Sequence, residues 1–123
     1  MRLKLSFKKE LKMEIKDFAK QMIEKFGDLQ LIIACEELSE LQKEICKHLR
    51  GKGNREHIIE EMADVQLMLD EMKVFFNISQ DDLYKVKRKK ILRTQKRCLE
   101  SESLEKEKEE ENNLFDLMEE NHG

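Results

Sequence analysis

The 123-residue chain has no proline, a single tyrosine and no run of 18 consecutive apolar residues. Without proline, no position forces a helix to break. Without a long apolar run, no segment reads as a bilayer-spanning helix, and the N-terminal MRLKLSFKKE lacks the apolar stretch of a secretory signal. Cys35, Cys46 and Cys98 form no CxxC pair. Their odd number, at or beside apolar helical positions, reads as free thiols in a reducing compartment rather than as a disulfide framework. A cytoplasmic location is the expectation. The GxxxxGKS/T loop that cradles phosphates in P-loop proteins is also missing.

What remains is charge and helical periodicity. Charged residues make up 41% of the chain, and apolar residues recur at steps of three and four. That pattern predicts one all-α domain with a single modest core. A first helix, capped by Ser6, carries Leu11, Ile15, Phe18, Met22 and Phe26 and stops at Gly27. Asp28 caps a second helix, with Leu31, Ala34, Cys35, Leu38, Leu41, Ile45 and Leu49 on its buried face, which ends at GKGN (51–54). Asn54 caps a third, with Ile58, Met62, Val65, Met68, Leu69, Met72, Phe75 and Phe76 facing inward, and Ser79 with Asp82 opens a fourth. Short turns between four helices imply an antiparallel, four-helix-bundle-like fold that a second copy completes.

Charge divides the chain unevenly. Residues 1–98 carry 22 Lys/Arg against 17 Asp/Glu, whereas residues 99–123 carry 2 against 10. The expected organisation is a helical domain over 1–98 followed by an acidic tail over 99–123, which is mobile or a frayed, solvated helix because SESLEKEKEEE has little apolar surface to bury. Its last apolar cluster, Leu114, Phe115, Leu117 and Met118, is expected to fold back or stay loose, with docking on a partner the less favoured reading.

Two stretches, EELSE (36–40) and EEMAD (60–64), place carboxylates beside the core. Glu61 lies three residues after Ile58 and four before Val65, inside the apolar sector of the third helix, and Asp64 follows one turn later. Glu37 stands in the same relation to Ala34 and Leu41 on the second helix, with Glu40 one turn on and Glu44 further along that edge. Four converging carboxylates repel one another unless a cation lies between them. Oxygen ligands with no neighbouring His or Cys favour Mg²⁺ or Mn²⁺ over zinc. A carboxylate-bridged di-iron site would need two Glu-x-x-His pairs, and the chain has one, Glu119 to His122; His48 and His57 merely flank a turn.

The combination of Glu36, Glu37 and Glu40 with Glu61 and Asp64, with twenty residues lying between Glu40 and Glu61, resembles the EExxE and ExxD signature of the MazG-like nucleotide pyrophosphohydrolases in the all-α NTP pyrophosphatase superfamily. The resemblance runs through DLQLIIACEELSELQKEI and MADVQLMLDEMKVFF and stops before the acidic tail. It implies Mg²⁺-dependent hydrolysis of an NTP or dNTP to the monophosphate and pyrophosphate by a homodimer or a dimer of dimers. Glu37, Glu40, Glu61 and Asp64 would hold the metal, and Glu36 would ligate, orient water or support its neighbours. Lys90, Arg93 and Arg97, one stripe of the fourth helix, would grip the triphosphate, and Gln30 would contact substrate. Nucleic acid is a poorer fit to the basic fourth helix, since aromatic residues are not interleaved with the charges. The rival from another class is a non-catalytic helical interaction protein of the same fold, acting through its tail.

Overall fold

The computed structural model describes residues 2–121; Met1, His122 and Gly123, and with them the Glu119 to His122 spacing, lie outside. Among the described residues there are four α-helices and no strand: α1 (Leu5–Phe26), α2 (Leu29–Leu49), α3 (Arg55–Phe75) and α4 (Gln80–Glu120). The chain forms two compact units, Met1–Gln80 and Asp81–Gly123.

The first unit is a three-helix assembly in which α3 packs most extensively on α2 and then on α1. Its turns explain the tight reversals. Gly27 adopts φ 51°, a left-handed conformation that a glycine enters without the Cβ penalty, and its N–H donates to Ile23 O at 2.8 Å, closing α1. Gly53 serves by its size: a Cβ there would lie 2.9 Å from His48 Cα. Asn54 caps α3 as its sequence position implies, its Oδ1 accepting from the Glu56 and His57 N–H groups at 2.9 and 3.2 Å. The other two caps differ from expectation. α1 begins at Leu5 with Lys4 at its cap position, so Ser6 lies inside the helix, and Asp28 precedes α2 in a helical conformation with no side-chain capping bond.

The core is thinner than the periodicity implies. Ala19, Ala34 and Val65 are its buried apolar residues. Leu38, Ile45 and Leu49 of α2, and Met62, Leu69 and Phe76 at α3 and its C-terminal cap, expected to face inward, are exposed, as are Leu11, Phe18 and Phe26 of α1 and all three cysteines. The reason is a seam between α2 and α3 offset to one side of the apolar stripe. On α2 the inward positions are Gln30, Ala34, Glu37, Leu41 and Glu44, spaced four and three apart, so a polar residue occupies every second place.

The second unit is α4 alone from Asp81 onward. It is one 41-residue helix, about 60 Å long at 1.5 Å per residue, and it has no buried residue. The acidic segment expected to be mobile or frayed continues this helix to Glu120.

Candidate functional site

The α2 and α3 helices run antiparallel on either side of the turn at 50–54, and this arrangement brings EELSE and EEMAD to the same level. Glu37, Glu61 and Asp64 offer carboxylate oxygens that all lie within 4.8 Å of one another. Glu37 and Glu61 are half-buried, and Asp64 stands at the border between half-buried and exposed. The spacing of three and four residues that placed these side chains on the inner flank of each helix is what lets them meet.

Electrostatics at the cluster are unfavourable in the absence of a cation. Burial holds the Glu37 carboxyl above its ordinary range, reinforced by the charges of Asp64 and Glu61, a hydrogen bond with Asp64, and the charge of Glu40. Glu61 is raised in the same way, first by burial and then by Asp64, Glu40, Glu44 and Glu60. Its Oε2 is withdrawn from water and has no hydrogen-bond partner. The nearest ion pairs on these helices are directed elsewhere, Lys47 to Glu44 at 3.1 Å and Lys73 to Asp70 at 3.0 Å. Three carboxylates at this separation, one with an unsatisfied oxygen, form a donor set that fits a hard divalent cation.

The remaining expected residues fall into three groups. Glu40 is exposed and outside the close triad, although its charge is felt by both Glu37 and Glu61. Glu36 is exposed and belongs to no cluster. Gln30, seven residues before Glu37 on the same face of α2, is only 3% exposed, and its Oε1 lacks a partner. Lys90, Arg93 and Arg97 belong to the second unit, where all three are exposed on α4.

Two further acids are buried: Glu44, which the sequence places along the edge of α2 without a role, and Glu71, which motif reading did not single out. Glu44 is 6% exposed, with Oε1 held by Lys47 and Oε2 unpartnered, and its charge reaches Glu61. Glu71 is 1% exposed with neither oxygen partnered, and burial raises its pKa. Both were marked by a seven-residue step: Gln30, Glu37 and Glu44 share one face of α2, and Glu71 follows Asp64 by two turns on α3.

Comparison with protein-family models, curated proteins and solved structures finds no match to this chain.

Proposed function

We propose that the chain is a Mg²⁺- or Mn²⁺-dependent nucleoside triphosphate pyrophosphohydrolase of the MazG-like kind, releasing a nucleoside monophosphate and pyrophosphate from an NTP or dNTP. The observation that carries this reading is the meeting of Glu37, Glu61 and Asp64 within 4.8 Å from two separate helices, with no cationic side chain pairing with any of them among the described residues. In this reading Glu37, Glu61 and Asp64 hold the cation, with Glu40 completing its shell and Glu36 supporting from the solvent side. A divalent cation bound there supplies Lewis-acid neutralisation of phosphate charge and a more acidic water.

The protein residues do the rest. The carboxylates fix the site on rigid helices. No side-chain nucleophile is required, because water attacks the α-phosphorus and pyrophosphate leaves. Lys90, Arg93 and Arg97 are the cations proposed to grip the triphosphate, a role suited to their i, i+3, i+7 spacing. Gln30, on the same face of α2 as Glu37, is the residue proposed to contact substrate, its buried Oε1 having no protein partner.

Homodimerisation is part of the proposal. Leu31, Leu38 and Ile45 on α2, and Met62, Leu69 and Phe76 on α3 and its cap, each recur every seven residues along one flank of the hairpin, and all but the half-buried Leu31 are exposed. A second copy laid on that flank would remove this apolar surface from water and thicken a core whose buried apolar side chains are Ala19, Ala34 and Val65. The test is turnover of each NTP and dNTP with and without Mg²⁺ by the purified chain and by Glu61→Gln. Metal-dependent turnover lost in the variant supports the enzyme. No turnover of any nucleotide by the unaltered chain favours the non-catalytic interaction protein.

A further inference from the structure

The α4 helix divides into two halves of opposite charge. From Asp81 to Cys98 it carries eight Lys/Arg and two Asp/Glu; from Leu99 onward the balance is two against ten. A straight helix keeps these halves apart, so they meet only at the junction, where Lys96 Nζ lies 3.9 Å from Glu100 Oε1. The C-terminal half is therefore self-repelling. Its last turn has no basic residue and ends in Glu119 and Glu120, which the helix dipole disfavours at that end. No buried apolar stripe runs along α4. Large apolar residues cluster at its two ends, Leu83, Tyr84 and Val86 near the start and Leu114, Phe115, Leu117 and Met118 near the finish, with Ile91, Leu92, Leu99 and Leu104 between them; all are exposed except the half-buried Leu83.

We propose that α4 pairs antiparallel with α4 of a second copy of this chain, with the twofold axis near Glu100. In that register Lys89, Lys90 and Arg93 of each copy come opposite Glu111, Glu110 and Glu107 of the other, Lys85 and Arg88 lie just beyond the acidic block opposite Phe115 and Asn112, and Lys96 sits close to the axis; the pairing therefore competes with the triphosphate grip proposed for Lys90 and Arg93. The end clusters coincide too: Leu83 faces Leu117 and Val86 faces Leu114. The dipoles oppose, which brings the cations of each N-terminal half to the acidic C-terminal turns of its partner. A parallel pair would set like charge on like along the whole length. Phosphate-rich partners suit only the basic half and are repelled by the other. Self-complementary charge commits the surface to a second copy, and the interface is separate from the flank of α2 and α3 described above.

The experiment uses full-length chains in which Cys35, Cys46 and Cys98 are replaced by Ser. One carries Val86→Cys and the other Leu114→Cys; the two are mixed and mildly oxidised. A second mixture pairs Lys89→Cys with Glu111→Cys, with helical content checked by circular dichroism for each chain. The mixed-site disulfide should exceed either same-site product about tenfold at low salt and lose most of that advantage in 1 M salt, where the screening length is about 3 Å. Same-site products equal to or above the mixed product in both pairs, or no disulfide in folded chains, would overturn the proposal.

Discussion

Glu37 on α2 and Asp64 on α3 approach across the helical hairpin until their carboxylate oxygens lie within 4.8 Å, and an oxygen of Glu61 lies within the same limit of both. Burial and mutual repulsion raise the Glu37 and Glu61 pKa values, so the cluster stores unfavourable energy that a cation relieves. Mg²⁺ or Mn²⁺ should therefore raise the thermal midpoint of the chain, with about 2.7 kcal/mol of added stability when the ion is at 100 times its Kd. Protons compete with the metal for these carboxylates, so the gain shrinks as pH falls toward the carboxylate range. Thermal melts with and without each ion are the check. An equal rise in Glu61→Gln would place the ion elsewhere.

Glu71 gives a prediction about stability without any ligand. Its carboxyl sits 1% exposed with both oxygens unpartnered, and its folded pKa lies above the ordinary 4.5. Between 4.5 and the folded value the native chain holds the proton that the unfolded chain has released. The stability Glu71 allows is thus full below pH 4.5 and declines as pH rises through the folded value. Glu71→Gln should flatten part of that decline. Glu71→Met should stabilise the chain at pH 7 by about 1–3 kcal/mol, the usual cost of leaving a buried polar group unsatisfied. Urea unfolding across pH 4.5–8 measures both. A Glu71→Met chain less stable than the parent at pH 7 would show that the carboxylate has a partner in solution.

The capping geometry separates three residues that look alike in sequence. Asn54→Ala removes two accepted hydrogen bonds at the start of α3 and should cost about 1 kcal/mol. Asp28→Ala and Ser6→Ala remove no capping bond and should fall within about 0.5 kcal/mol of the parent. Denaturant midpoints at constant slope decide.

These contrasts mark where the sequence was legible. Glu37 and Glu61 could be read because each sits three residues after and four before an apolar neighbour, which fixes its flank whatever the neighbouring helix does; Glu40, whose neighbours three and four residues away are all Glu or Lys, has no such anchor and is exposed. Asn54 was legible because it follows a glycine-broken turn. The core was less so. Periodicity places Leu38, Ile45, Met62 and Leu69 on one face, but cannot say which edge of that face meets the partner helix, and the seam runs instead through Gln30, Glu37 and Glu44. Glu71 escaped notice because a charged residue is ordinarily assigned to solvent, although its step of seven from Asp64 marked it. The helical continuity of α4 through SESLEKEKEEE also exceeded what its apolar content implied, since good helix formers and the absence of proline suffice locally.

The tail offers a prediction that separates hydrolysis from assembly. Truncation after Leu99 removes the acidic half of α4 but leaves Glu37, Glu40, Glu61, Asp64, Lys90, Arg93 and Arg97 in place. Hydrolysis should persist within about twofold, an effect under 0.5 kcal/mol on the barrier. Loss of turnover in a truncated chain with intact helical content would make the tail part of the site.

Hydrolysis of a nucleoside triphosphate with Mg²⁺ in ¹⁸O-labelled water, with the label located by mass spectrometry, tests the proposed attack of water at the α-phosphorus. One ¹⁸O is expected in the nucleoside monophosphate and none in the released pyrophosphate. Label in pyrophosphate, or release of orthophosphate with a nucleoside diphosphate, would contradict that attack.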